Sequence, residues 1–311
     1  MTESSDRAHA HGHDHAANLA NRSRLWTAIV IVAVVLVVEV IGAVLSGSLA
    51  LFADAGHMLS DLTGLLVALV ATIVATRPAT DLQTFGSRRA EVFGALINGL
   101  ILLVVVIAIV VEAVQRLIDP PPGVQGGLML AVAIIGAVAN TAALLVLRRG
   151  ARDSINMRGA YLEVLGDLVG SIAVVVAAIV ILTTGFERAD AIASLAIAVL
   201  ILPRALALLR DVLRVLSQSA PKGTDVALIR EHVLSKEGVV SIHDVHVWSI
   251  TPGSNVFSAH VVVKPSVFRE GRTDQLLDSL CDCLAEHFDV AHSTFQLEPA
   301  EHADHEVEQH R

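Results

Sequence analysis

The sequence predicts an α-helical membrane protein with six transmembrane helices, followed by a C-terminal cytoplasmic α+β domain of αββαβ order. Three observations carry this reading. Apolar residues make up 54% of the 311-residue chain, with mean hydropathy +0.65. They are gathered into six blocks, at 25–44, 51–75, 92–111, 128–147, 161–182 and 191–209, each close to the ~20 residues a helix needs to cross a bilayer. Beyond residue 209 the blocks stop, and a strand-like alternation of apolar and polar residues takes their place.

Taken in order, residues 1–24 are polar, carry His9, His11, His13 and His15, and read as a disordered tail. No short apolar core stands before a small-residue cleavage site, so the first block is kept as a spanning helix. The six-helix region covers 25–215. Its orientation follows from the basic residues. Arg7, Arg22 and Arg24 precede the first helix; Arg77, Arg88 and Arg89 lie between the second and third; Arg148, Arg149, Arg152 and Arg158 lie between the fourth and fifth; Arg204, Arg210 and Arg214 close the sixth. The other connections hold Arg188, with Arg116 at the end of the third helix. Both termini are therefore expected in the cytoplasm of a multi-pass protein of the cell membrane.

The soluble domain is expected over 221–299, with a helix at 225–234, strands at 239–250 and 256–263 around a turn at 251–255, a helix at 273–287 and a third strand at 291–297. Residues 300–311 read as a second disordered tail. Cys281 and Cys283, the only cysteines, are too close to pair well, which suits a reducing compartment. The net charge of -9 owes much to the acidic tails and calls for no nucleic-acid partner.

The informative residues are the ionisable ones inside the apolar blocks. Each costs at least about 2.5 kcal/mol at the bilayer centre, so such residues face a bundle interior or a water-filled path. The second block holds Asp54, His57 and Asp61, the fifth Glu163 and Asp167, and the first Glu39. His57 and Asp61 are four apart, as are Glu163 and Asp167, so each pair shares one helix face. The flanking residues match in register, with Leu, Asp, Leu and Gly common to 57–64 and 163–170. Two helices with two ligands each can build a four-ligand site of nitrogen and oxygen donors, which suits Zn²⁺. Three carboxylates meeting without a cation would repel. Gly56, Ser60, Gly64, Gly166 and Gly170 are read as letting the two helices approach closely. Asn98, Asn140 and Asp54 also have an ordinary reading, as hydrogen-bonding braces between helices.

At this point the chain resembles the cation diffusion facilitators. Residues 49–61, LALFADAGHMLSD, resemble that family's second helix; 84–92, TFGSRRAEV, the entry to its third; 156–167, NMRGAYLEVLGD, its fifth; and 243–248, HDVHVW, the start of its cytoplasmic domain. The resemblance runs from about Arg24 to Glu298. It implies a homodimer in the lipid bilayer that exports Zn²⁺ and related divalent ions, such as Cd²⁺ and Co²⁺, in exchange for protons. It further implies a cation/proton antiporter, not an enzyme, with a metallochaperone-like cytoplasmic domain. It places the transport site at His57, Asp61, Glu163 and Asp167, and a cytoplasmic metal site at His243, His260 and Glu298, with His246 and His292 as further candidates. No permanently held cofactor is expected; Zn²⁺ or a related divalent cation is expected as the substrate and as a candidate ligand of the cytoplasmic domain.

One position departs from the family pattern. The zinc type carries His-x-x-x-Asp on both helices, whereas the fifth helix here has Glu163 in place of His. An ionised Glu163 leaves one negative charge in excess around a bound divalent ion, and an oxygen-richer site is kinder to Co²⁺, Mn²⁺ or Fe²⁺. Should Glu163 turn away, a water would complete the shell. His57 and Glu163 are both candidate proton carriers. An uptake carrier would use similar ligands in the other direction, and a membrane-anchored metal sensor would rest on the soluble domain alone. A membrane metalloprotease would need His-Glu-x-x-His, which the sequence lacks.

Overall fold

The computed structural model describes residues 6–75, 79–119, 123–148, 155–288, 290 and 292–303. Six long helices come first: α1 (Asp6–Ser46), α2 (Leu49–Ala75), α3 (Ala90–Ile118), α4 (Gly126–Leu147), α5 (Ile155–Thr184) and α6 (Arg188–Leu216). Within α1 the segment Trp26–Ser46, and within α5 the segment Arg158–Thr184, are long and apolar enough to cross a membrane, as are α3, α4 and α6. The remaining long helix, α2, is similarly apolar in sequence, though the side chains of some of its residues lie outside the description. Val34, Val44, Val104, Val138 and Val199 point outward from α1, α3, α4 and α6 and are well over half exposed. That many large apolar side chains on the outside of a bundle suits a lipid surround.

The backbone of α1 is helical from Asp6, ahead of residue 25 and within the segment expected to be a disordered tail. Its alanines, Ala8, Ala10, Ala16, Ala17 and Ala20, favour helix. The side chains of His9, His11, His13 and His15 lie outside the description.

The chain forms two compact units, described separately. In the first, residues 1–67 and 97–207, Leu51, Val106, Met129, Val174, Ala178 and Ile197 are part of one buried core. The α1–α2 turn is tight. Gly47 has φ +69, and its N–H bonds the Ala43 carbonyl at 3.0 Å, an ending that favours glycine. The start of α2 is capped from α6: Asp190 accepts the N–H groups of Leu49 (2.8 Å) and Ala50 (3.0 Å) and the Ser48 hydroxyl (2.6 Å). Arg116 of α3 adds an ion pair to Asp190 at 3.4 Å and donates to the Gly47 carbonyl at 2.8 Å. A carboxylate at a helix N-terminus satisfies free N–H groups and meets the positive end of the helix dipole. This knot sets where α2 begins, and hence where Asp54 and His57 fall.

The second unit, residues 68–96 and 208–311, contains the α+β fold. Here α7 (Val226–Leu234), capped by Asp225, leads to β1 (Val239–Thr251) and β2 (Ser254–Val263), joined through Pro252 and Gly253 (φ +78). A short helix, α8 (Pro265–Arg269), precedes α9 (Thr273–Phe288), β3 (His292–Glu298) and one turn, α10 (Ala300–Ala303). α8 is an addition to the expected αββαβ order, begun by Pro265 at a first-turn position. α10 falls where a disordered tail was expected; its turn closes from His302 N–H to the Pro299 carbonyl at 3.0 Å. The sheet order is β1-β2-β3, antiparallel then parallel. Ile229, Phe257, Val261, Leu280 and Leu284 are fully buried in its core, from both helices and the middle strand.

Candidate metal centre

On α2, His57 and Asp61 lie one turn apart, and α5 brings Asp167 against them. His57 Nε2 is 3.7 Å from Asp61 Oδ2 and 3.6 Å from Asp167 Oδ1. One ligand atom from each of the three lies within 4.8 Å of the others, and His57 and Asp167 are buried. Glu163 stands outside this group. It is more exposed, and with Asp61 and Asp167 it lines a small recess of about 50 Å³ bounded by Ala28, Val32 and Leu147. Three of the four residues read from the sequence therefore converge, and the fourth sits at the mouth.

The sequence reading missed one member of the site. Arg204 of α6 was counted only as a basic residue closing that helix. Its Nη1 lies 3.1 Å from His57 Nε2. A guanidinium has donors only, so Nε2 must be the acceptor and the ring proton sits on Nδ1. Arg204 thus occupies the lone pair that His57 would offer an ion. It shares a second recess of about 280 Å³ with Asp54, His57, Gly166 and Gly170. Pro203, just before it, removes one bond of the helix ladder, a break that membrane helices tolerate.

Beyond the cluster lies a second buried group. Asp54 Oδ2 accepts the Ser171 hydroxyl at 3.1 Å, and Asn140 Nδ2 donates to Ser171 Oγ at 3.4 Å. Glu39 is fully buried, and both its carboxylate oxygens, like Asp54 Oδ1, find no hydrogen-bond partner among the described residues. Asn98 faces the Ser60 hydroxyl at 3.4 Å, so Asn98 and Asn140 both brace neighbouring helices.

The small residues serve different neighbours from those expected. A Cβ on Gly170 would strike Asp54, so that glycine does stand between α5 and α2. Gly56 and Gly64 face Val105 and Asn98 of α3, while Gly166 faces the Arg204 guanidinium. Sequence spacing gives the face a residue shares, and the neighbouring helix decides what that face meets.

In the sheet, His243 of β1 pairs directly with His260 of β2, their ring centroids 5.2 Å apart. Glu298, buried at the end of β3, reaches both: Oε1 is 3.1 Å from His243 Nε2 and Oε2 is 3.9 Å from His260 Nδ1. The three residues named from the resemblance therefore meet. Asp244 joins them, with Oδ2 4.0 Å from His260 Nδ1. Successive residues of a regular strand point to opposite faces, so Asp244 was not expected beside His243. A register shift between His243 and His246, with Asp244 at φ +47, turns it to the same place. His246 and His292 are exposed, and His292 sits edge-on to Phe85 with centroids 6.0 Å apart.

These features define a multi-pass membrane protein with a buried nitrogen–oxygen ligand cluster inside its helices and a second such cluster on its C-terminal sheet. The chain belongs to the cation efflux family: residues 25–217 match the cation efflux transmembrane domain, and residues 221–300 match the cation efflux protein cytoplasmic domain. It is 39% identical to the metal cation efflux system protein CzcD of Cupriavidus metallidurans over 94% of this chain and 92% of that protein. It is 39% identical to the zinc transporter ZitB of Escherichia coli, over 94% and 92%. It is 36% identical to a cadmium, cobalt and zinc/H(+)-K(+) antiporter of Bacillus subtilis, over 94% and 93%. The solved metal-bound C-terminal domain of the CzcD transporter is 36% identical, with TM-score 0.22, over 24% of this chain and 99% of that one.

Proposed function

We propose that this protein exports divalent metal cations from the cytoplasm, zinc first, in exchange for protons, and that His57, Asp61 and Asp167 hold the ion in transit. The observation that carries the reading is the convergence of one imidazole and two carboxylates inside apolar helices. The relatives' names, a zinc transporter and a cadmium, cobalt and zinc antiporter among them, support the substrate class. One nitrogen and two oxygens, with water in the fourth position, make a tetrahedral site that Zn²⁺ accepts.

Charge bears on which ion is preferred. Asp61, Asp167 and Glu163 bring three negative charges when ionised, and Arg204 returns one positive. Counted together, the four side chains are balanced by one divalent ion, which removes the excess that Glu163 alone would leave. Glu163, in the entry recess beside Asp61, attracts the ion, and Arg204 holds the empty cluster together. For the ion to bind His57, Arg204 must give up Nε2. A cation for a cation at one ligand atom is a competition that weakens binding and favours release. The protons returning in exchange have carboxylates to ride on, and the partnerless oxygens of Glu39 and Asp54 suit that role. The helices rocking about the site would give alternating access.

The distribution of basic residues supports a cytoplasmic side for both termini, the resemblance implies a homodimer, and the His243, His260, Asp244 and Glu298 cluster is proposed as a cytoplasmic metal site. Zn²⁺ uptake into everted membrane vesicles carrying a proton gradient tests the whole reading. Uptake that depends on both the protein and the gradient is expected. Uptake indifferent to the gradient would remove proton exchange; no uptake at all would remove export.

A further inference from the structure

We propose that His232, Cys283 and His287 form a separate metal site, on the helical layer of the C-terminal domain, for a borderline or soft divalent cation of the Zn²⁺ class. The three residues come from the two helices packed beside the sheet. His232 lies in the last turn of α7, while Cys283 and His287 are one turn apart on the same face of α9. None belongs to the sheet cluster of His243, His260, Asp244 and Glu298.

The geometry is that of a ligand set. Cys283 Sγ lies 3.6 Å from His232 Nδ1. A tetrahedral zinc ion, with Zn–S of about 2.3 Å and Zn–N of about 2.0–2.1 Å, holds sulfur and nitrogen roughly 3.6 Å apart. One ligand atom from each of the three residues lies within 4.8 Å of the others. His287 is already oriented. Its Nδ1 faces the Cys283 carbonyl at 3.2 Å, and the tautomer that donates this bond keeps a lone pair on Nε2. A metal-binding imidazole commonly donates its other N–H to a backbone carbonyl in this way. The two imidazoles meet edge-on, centroids 5.3 Å apart, and His232 is steadied against Phe288 at 5.2 Å.

Ligand chemistry sets the class of ion. A thiolate with two imidazoles selects Zn²⁺, Cd²⁺ or Co²⁺ over Mg²⁺ and Ca²⁺. Three protein ligands leave a fourth position, and His287 is exposed while Cys283 is buried, so the site opens to solvent on the histidine side. Binding releases the Cys283 thiol proton, since the thiolate is the ligand. An occupied site ties α7 to α9. Its occupancy follows the free ion around the domain, as a sensing position requires and a transport position does not.

Co²⁺ is the probe. The full-length protein in detergent is titrated with Co²⁺, and the thiolate-to-Co²⁺ charge-transfer absorption in the near ultraviolet is followed. The chain has two cysteines, so ions at the membrane cluster, the sheet cluster or the N-terminal histidines give no such band. Cys281 is the internal control, because its sulfur faces the Ser293 hydroxyl at 3.5 Å. The expected result is a band in the parent that Cys281→Ser keeps and Cys283→Ser abolishes. His287→Gln, at an exposed position that the fold does not need, should weaken Co²⁺ binding by more than about tenfold on the same band. No band in the parent, a band kept by Cys283→Ser, or unchanged affinity in His287→Gln would each overturn the proposal.

Discussion

Arg204 Nη1 sits 3.1 Å from His57 Nε2, so a tethered cation holds the one imidazole lone pair in a cluster of carboxylates. The guanidinium charge offsets part of the repulsion between Asp61 and Asp167 before any ion arrives. The contact also means that Arg204 and the transported ion compete for one ligand atom.

Removing that competitor should tighten binding and slow release. Arg204→Gln takes one positive charge from a low-dielectric site, and even at an effective dielectric constant near 20 such a charge is worth several kcal/mol against a divalent ion. The Kd for Zn²⁺ should fall by about tenfold or more, with lower turnover. Glu163→Gln should move Kd the other way, and the double variant should return toward the parent, a coupling that a double-mutant cycle reads directly. Additive effects with no coupling would separate Glu163 from Arg204.

The Asp190 cap supports the start of α2 at a distance from the ligands. Asp190→Ala strips two backbone N–H groups and the Ser48 hydroxyl of their acceptor and leaves Arg116 without its buried ion-pair partner. Hydrogen bonds to a charged group contribute about 1.5–3 kcal/mol each, not additively. A loss of about 3 kcal/mol is expected, seen as a lower Tm in detergent, with transport falling as α2 shifts.

Packing between α1 and α4 gives a sharper mechanical test. A Cβ on Gly42 would lie 2.6 Å from Val132 Cγ2, and the branched valine has little freedom to yield. Gly42→Ala should cost about 1–3 kcal/mol, and Val132→Ala in the same chain should recover most of it. Thermal melts of the parent, the single variant and the double variant check both directions.

At the sheet cluster, Asp244 combines an unusual backbone angle with a ligand carboxylate. Asp244→Gly suits φ +47 and should leave thermal stability within about 1 kcal/mol of the parent. Metal bound per domain should still fall, because the oxygen near His260 is gone. Equal metal uptake in the two proteins would leave Asp244 a purely structural residue.

Much of this architecture is legible along one dimension. The apolar blocks, the i,i+4 pairs on two of them and the alternating strands are local patterns, and each maps onto an element. Arg204 was not legible as a site residue, because its position at the end of an apolar block gave an ordinary account of it, and only the meeting of α6 with α2 puts the guanidinium on His57. Asp244 was hidden by a bulge that strand periodicity does not announce. Gly56 and Gly64 were assigned the wrong neighbour for the same reason: a helix face is encoded in the sequence, and its partner is set by the bundle. Cys283 and His287 have the spacing of a ligand pair, but His232, which completes the set, comes from α7 and pairs with them only through the fold.

The central claim is that the buried His57, Asp61 and Asp167 cluster carries the transported ion, and proteoliposomes containing Asp61→Ala test it most directly. The variant should reconstitute as folded protein, matching the parent in size-exclusion profile and helical circular dichroism, and should move no Zn²⁺ above empty liposomes. Zinc flux equal to the parent's in that same preparation would contradict the assignment.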